Sequence, residues 1–367
     1  MSQIPATTKA YVLGEKQTRT LADGKSIPYY DASLQERELP KAGEGDVVVK
    51  IAAAGFNHRE LWIRKDLYPA IKVGSVLGAD GSGTVVSGPQ DILGKRVFIV
   101  PMTGWESVER GPEKQFGIPG GVRYPAYGTL SEYIVVPKDA VIPTPDHMTD
   151  EEAAAWGLGA VTAWRAVVTK GQVDKGHNVF ITGVGGGVAV IALLFCVARG
   201  ANVFVSSSSP ETIAKAVKLG AKGGVNYRDE SWPKDLAALM KEHGATGLDA
   251  IIDSAGGDIL GKTVRILNSG AKVVCYGMTA SPSIPLAMPH VLKNIELLGS
   301  TMGSTAELRA ATEFAIQHRL RPVVSTVLEG LESAERGFEL LESGKEFGKI
   351  VVMVGKSNQE ITSGSKL

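Results

Sequence analysis

The feature that most constrains this chain is a glycine run set between a short β-rich segment and an apolar helical one. Val179-Phe180-Ile181-Thr182 leads into Gly183-Val184-Gly185-Gly186-Gly187-Val188-Ala189, and an apolar stretch follows through Ala198 to Arg199-Gly200. A glycine turn that opens a helix leaves backbone N–H groups and the positive helix end pointing at an anion, and a pyrophosphate fits there. Read as Gly-x-Gly-x-x-Gly, the run supplies Gly183 and Gly185, with Val188 at the third place. Read as Gly-x-x-Gly-x-x-Ala, it supplies Gly183, Gly186 and Ala189. An ordinary tight turn is the alternative, and the surroundings weigh against it. Short β-rich runs at 178–182, 202–206, 223–227, 249–253, 272–276 and 296–299 alternate with helical stretches, the pattern of an α/β, doubly wound, six-stranded parallel sheet. The helix 188–198 is apolar on nearly every face and is expected to be buried between this sheet and a second domain.

The end of the second strand, about 20 residues past the loop, is where a carboxylate would bind the ribose 2′-hydroxyl of NAD. Here the chain reads Ser206-Ser207-Ser208-Ser209, and no carboxylate precedes Glu211. A 2′-phosphate would meet hydroxyl donors there, with Lys215 or Lys218 supplying charge from the next helix and Tyr227 and Arg228 beside the adenine. The reading favours NADP(H). The serines as no more than a polar turn and helix cap are the alternative. Ser254, Gly277, Met278, Thr301 and Met302 follow the fourth, fifth and sixth strands, at the carboxyl ends where ligands bind in open sheets.

The rest of the chain is different. Runs at 47–53, 83–86, 96–100 and 132–137 are short, strand-like and punctuated by Gly, Pro and Asp, as in an antiparallel or barrel-like domain. A helix is expected over 58–63, helices over 306–318 and 333–343, and a strand over 349–354 that folds back on the first domain. The tail 357–367 is polar and expected to fray. The 44 glycines in 367 residues, about 12% against an average of ~7%, mark many turns and close backbone approaches. Lysine plus arginine (39) equals aspartate plus glutamate (39), which removes the electrostatic reason to expect a nucleic-acid or membrane-surface partner. Two cysteines, Cys196 and Cys275, exclude a disulfide framework and a four-cysteine zinc site. Cys196, with no acidifying neighbour within a turn, reads as structural. With no charged-then-apolar start and no long apolar run, a cytoplasmic globular protein is expected.

Several blocks in one order resemble the medium-chain dehydrogenase/reductase superfamily, especially its quinone-oxidoreductase-like and zinc-alcohol-dehydrogenase-like branches. They are Gly55-Phe56-Asn57-His58-Arg59-Glu60-Leu61-Trp62, Leu77-Gly78-Ala79-Asp80-Gly81-Ser82-Gly83, Gly128-Thr129-Leu130-Ser131-Glu132-Tyr133, Leu158-Gly159-Ala160-Val161-Thr162-Ala163-Trp164, the glycine loop, Val225-Asn226-Tyr227-Arg228, Gly299-Ser300-Thr301-Met302-Gly303 and Phe347-Gly348-Lys349-Ile350-Val351. The resemblance implies a GroES-like β-rich catalytic domain from 1–160 and 304–367, with a Rossmann dinucleotide-binding domain over 161–303 and the active site in the cleft. It also implies that Asn57, Ala79 and, less surely, Leu158 stand where zinc-dependent members hold catalytic zinc. None is a plausible ligand, and the segment 104–127 lacks the four cysteines of the structural site. No zinc is expected at either place.

Without a Lewis acid, hydride donation to an already polarised quinone or α,β-unsaturated carbonyl is the chemistry most natural to the remaining parts. By resemblance, Asn57 and Tyr68 are placed to donate hydrogen bonds to the substrate oxygen, with His58 as a proton shuttle, and Thr162 and Lys349 near the cofactor. The ordinary alternatives are a helix cap for Asn57 and Thr162, a surface ring for His58, packing for Tyr68 and a surface ion pair for Lys349. A metal-free alcohol or aldehyde dehydrogenase, and an NADPH-binding sensor or scaffold with little catalysis, are the competing functions. Relatives often pair through the edge of the Rossmann sheet, so a homodimer is expected, with 284–288 as a candidate edge strand.

Overall fold

The computed structural model describes residues 4–21 and 24–354, so the expected frayed tail lies outside the described residues. In chain order the strands are β1 (Thr7–Thr20), β2 (Ser26–Glu38), β3 (Asp46–Gly55), β4 (Asp80–Ser87), β5 (Arg96–Ile99), β6 (Tyr133–Pro137), β7 (Val141–Pro143), β8 (Asn178–Ile181), β9 (Asn202–Ser207), β10 (Gly223–Asn226), β11 (Leu248–Asp253), β12 (Leu267–Cys275), β13 (Glu296–Gly299), β14 (Val324–Glu329) and β15 (Lys349–Met353). They divide between two compact units, one comprising 1–106, 112–158 and 324–367, the other 107–111 and 159–323.

The first unit is a β-rich body. Its larger sheet runs β14-β15-β3-β4-β5-β7, with β6 on β3, and β1 and β2 form a separate antiparallel hairpin. Alternation along β3 explains its central place. Val47, Val49 and Ile51 pack with Val85, Val97, Ile99, Ile134 and Val136, while Ala54 and then Phe56 enter a second core with Leu77, Leu130 and Phe338. The C-terminal β15 pairs antiparallel with β3, so the end of the chain completes the sheet begun near its start. Gly55, the last residue of β3, passes so close to the chain that a Cβ would lie 2.3 Å from the Ala154 carbonyl oxygen. That approach brings β3 directly to Asn57, where the helix His58–Arg64 begins.

The second unit carries an all-parallel sheet in the order β10-β9-β8-β11-β12-β13. Numbered within the unit this is 3-2-1-4-5-6, the order of a doubly wound dinucleotide-binding sheet. Phe180, Phe204, Ile251 and Val273 share one core with Trp232, Leu236 and Met240 of the helix Trp232–Glu242. The alternate residues Val179, Ile181, Val203, Val205, Ala250 and Ile252 are buried as well. Both faces are therefore covered, as parallel sheets require. The helix Gly187–Ala198 buries Ala189 to Leu193, Phe195 and Cys196, and Trp164 and Phe314 close over Phe195 edge to face.

Three expectations change. The run 284–288 is not a strand: Pro282, Pro285 and Pro289 withhold the N–H groups a ladder needs, and a short helix starts at Met288. The helix Thr305–His318 belongs to the second unit rather than the first, because Glu307 takes a two-pronged pair from Arg165 and a hydrogen bond from Thr169. The hairpin β1–β2 and strand β14 went unanticipated: much of the hairpin is exposed past Leu13, and along β14 the half-buried positions Val324, Thr326 and Leu328 do not stand out from exposed Val327 by residue type.

Candidate functional site

In the first unit a set of buried charges surrounds Asn57. The Asn57 side chain donates from Nδ2 to Asp80 Oδ2 (3.0 Å) and accepts at Oδ1 from Lys349 Nζ (2.5 Å). Lys349 also donates to Asp80 Oδ2 (3.0 Å) and to the Phe56 carbonyl (2.9 Å). Asp80 Oδ1 accepts the Leu158 N–H at 2.7 Å, and Gly157 leaves room for it, since a Cβ there would lie 2.8 Å from that oxygen. Glu60 accepts the Asn57 N–H at 2.6 Å and Arg59 at 3.0 Å, and burial raises the Glu60 carboxyl above the ordinary range despite Arg59. Such charges survive burial because each has a partner.

Arg59 reaches further. It donates to the carbonyls of Ile118, Pro119 and Gly120, and its guanidinium lies 4.9 Å from the Tyr68 ring centroid. Tyr68 is half-buried against the core that holds Phe56 and Phe338. His58 is the first residue of its helix, and its pKa is lowered by desolvation and by the Lys349 and Lys65 charges. Lys349, expected near the cofactor or in a surface ion pair, is instead buried with its three N–H groups engaged inside the first unit.

The second unit gathers the strand ends. Gly183 adopts φ +60°, and its N–H donates to Ser206 Oγ at 3.3 Å, while the Val184 N–H donates to the Ser206 carbonyl. Gly186 caps the helix Gly187–Ala198, and a glycine has no side chain to satisfy the first-turn N–H groups of Gly187, Val188 and Ala189. Those groups and the helix dipole fit a pyrophosphate. A Cβ on Gly186 would meet nothing closer than 3.9 Å, so that side of the loop is open. At the neighbouring strand end, buried Asp253 accepts from Thr182 Oγ1 (2.7 Å), the Gly256 N–H (2.8 Å) and the Ala255 N–H (3.3 Å), and burial raises its pKa. These bonds shape the turn that carries Ser254, whose carbonyl takes the Thr279 N–H just past Gly277 and the exposed Met278. Thr162 donates to Met302 Sδ at 3.8 Å, and Met302 holds a left-handed φ of +45° beside the exposed Thr301.

The serine run divides. Ser206 and Ser207 are buried and serve the local backbone, Ser208 is half-buried, and Ser209 caps the helix Pro210–Lys218. Ser209 Oγ also donates to Glu211 at 2.6 Å, which holds that carboxyl below its usual range. Lys215 and Tyr227 are exposed, and Lys215 lies about 9 Å of helical rise beyond the cap.

Asp80, Arg59, Glu60, Thr182 and Asp253 are the site residues the sequence reading missed. A charge inside an otherwise small and apolar block, as in Gly78-Ala79-Asp80-Gly81, was the available signal for Asp80. Of the three positions that correspond to zinc ligands, Ala79 and Leu158 carry no donor atom and the Asn57 amide oxygen is taken by Lys349. Among the described residues no group of three or more His, Cys, Asp or Glu is arranged to hold a metal. No helix among them is long and apolar enough to cross a membrane.

Comparison with known proteins agrees with this arrangement. Residues 43–146 match the alcohol dehydrogenase GroES-like domain, and residues 187–317 match the zinc-binding dehydrogenase domain. The zinc-type alcohol dehydrogenase-like protein YogA of Leptosphaeria maculans is 41% identical over 343 residues, which cover 89% of this chain and 95% of that protein. A zinc-type alcohol dehydrogenase-like protein of Schizosaccharomyces pombe is 29% identical, over 87% of this chain and 94% of its own. The crystal structure of an NAD-dependent alcohol dehydrogenase superposes with a TM-score of 0.80 at 31% identity, covering 95% of this chain and all of that one. The chain therefore belongs to the medium-chain dehydrogenase/reductase superfamily and is an oxidoreductase of its zinc-type alcohol dehydrogenase-like branch.

Proposed function

We propose that this oxidoreductase reduces quinones or α,β-unsaturated carbonyls with NADPH and without zinc. The observation that carries the reading is the Asn57–Asp80–Lys349 cluster, an amide held by an ion pair, with Asn57 at one of the positions that the resemblance sets against metal ligands. When bound, the reduced nicotinamide supplies the hydride. The loop Gly183 to Gly187 and Val188 binds the pyrophosphate through backbone N–H groups, and Thr162, Ser254, Gly277, Met278, Thr301 and Met302 line the dinucleotide along the strand ends. Asn57 and Tyr68 donate hydrogen bonds to the substrate oxygen, where they stabilise the negative charge that develops. His58 relays a proton between solvent and the substrate.

The NADPH reading rests on the sequence at the end of β9, where no carboxylate precedes Glu211 and Lys215 and Tyr227 are exposed nearby in sequence. A homodimer through the edge strand β13 is part of the same proposal, supported by the exposed Leu286, Met288, Val291 and Leu292 in the segment before it. Cys196 and Cys275 are free, buried thiols, in keeping with a cytoplasmic setting. The likeness to an NAD-dependent alcohol dehydrogenase favours one second reading, a metal-free alcohol or aldehyde dehydrogenase.

The test is anaerobic oxidation of NADPH across quinones, enones and aldehydes. The proposal expects turnover with quinones or enones. Turnover confined to aldehydes would establish the second reading, and tight NADPH binding with no oxidation by any acceptor would leave a sensor or scaffold.

A further inference from the structure

The bonds around Asn57 can be satisfied in only one way. The Lys349 ammonium is a pure donor and an ionised Asp80 a pure acceptor, so the amide must turn Oδ1 to the lysine and Nδ2 to the aspartate. The orientation is dictated by chemistry, which settles an assignment otherwise ambiguous for asparagine. One Nδ2 hydrogen is spent on Asp80, and no protein acceptor among the described residues takes the second. Asp80 itself is fixed by the Leu158 N–H, and Lys349 by the Phe56 carbonyl, so neither partner can swing away without losing a buried bond. Lys349, Asp80 and Asn57 are 6%, 1% and 7% exposed, which keeps water from competing for these bonds.

We propose that Lys349 is a positioning residue for the substrate oxygen: its ammonium locks the Asn57 amide so that the second Nδ2 hydrogen is presented as a fixed donor. Its charge also lies one hydrogen bond from that donor, polarising the amide toward a developing oxyanion. The inference rests on the proposed reductase reading. It assigns to an internal lysine the ordering of the Asn57 amide.

The test compares Lys349→Met, Asn57→Ala and the double variant with the wild-type enzyme. Each single change is expected to lower kcat by roughly 100-fold, the lower end of the cost of losing one oxyanion donor, with the NADPH Kd within about twofold of wild type. Because Lys349 acts through Asn57, the double variant should be no slower than the slower single variant. Multiplying losses, an unimpaired Lys349→Met enzyme, or a parallel loss of NADPH affinity would each overturn the assignment. If Lys349→Met does not fold because Asp80 is left unpaired, Asp80→Asn with Lys349→Met removes both charges; recovered melting without recovered kcat is the expected result, and recovery of both overturns the proposal. Side-chain amide NMR of Asn57 reads the lock without turnover. Its two NH₂ signals should be sharp and distinct in the wild type and should merge or broaden in Lys349→Met, and unchanged signals would refute the lock. A wild-type enzyme that turns over no quinone or enone would instead sink the parent reading, and the amide signals would still decide the role of Lys349.

Discussion

At the scale of single residues, Gly186 and Gly55 separate two reasons for keeping a glycine. Gly55 serves packing, because any side chain would collide with the Ala154 carbonyl. Gly186 has ordinary extended angles, φ −71° and ψ 146°, and open space where a Cβ would stand. Nothing in the fold demands a glycine there, whereas a pyrophosphate seated on the helix start would. Gly186→Ala is accordingly expected to melt with the wild type while NADPH binds at least about tenfold more weakly, a loss of about 1.4 kcal/mol. Thermal melting and a fluorescence titration check the pair, and an unchanged affinity would remove the phosphate from this loop. Residues of this kind were legible because glycine chemistry is local. Lys349 was not, since its partners Phe56, Asn57 and Asp80 stand more than 260 positions away along the chain. Only the closing of β15 on β3 brings them together.

At the scale of elements, the proposed NADPH reading assigns the choice between the two nicotinamide dinucleotides to the start of the helix Pro210–Lys218. Its cap, Ser209, draws the Glu211 carboxylate to the end of β9, and a negative charge there opposes a 2′-phosphate. Glu211→Gln should tighten NADPH binding by roughly threefold, the scale of an exposed charge interaction, and leave NADH unchanged, with the contrast fading at high salt. Parallel titrations of the two cofactors at low and high ionic strength give the comparison; equal gains for both would show that Glu211 takes no part in the discrimination. Five strands of the parallel sheet could be read to within a residue, the central ones because both their faces are buried and their apolar runs are continuous, whereas β12 begins at Leu267, five residues before the expected start. The hairpin β1–β2 could not, for past Leu13 it faces solvent and its sequence follows no burial period. The candidate edge strand over 284–288 came from the resemblance, and it fails on the local chemistry of Pro285 within the run and Pro282 and Pro289 beside it.

At the scale of the whole molecule, the chain spends its first 158 and last 44 residues, apart from a short segment at 107–111, on one β-rich unit and the rest on a dinucleotide-binding sheet. The order of motifs led to an expected division at 160/161 and 303/304, and the second of these boundaries lies 20 residues before the one at 323/324. The break near 323 was hidden, because it depends on the Arg165–Glu307 pair and not on a turn in the sequence. The absence of donor atoms at Ala79 and Leu158 was equally plain from sequence, whereas the ammonium and amide that occupy their neighbourhood were not. Together they lead to the central claim, hydride transfer to a polarised acceptor with protein hydrogen bonds in place of a metal. The most direct measurement is the anaerobic stopped-flow rate of NADPH oxidation by a quinone or enone, taken on one preparation before and after exhaustive chelation. The account predicts the same rate in both; a rate that collapses on chelation and returns with stoichiometric zinc would contradict it.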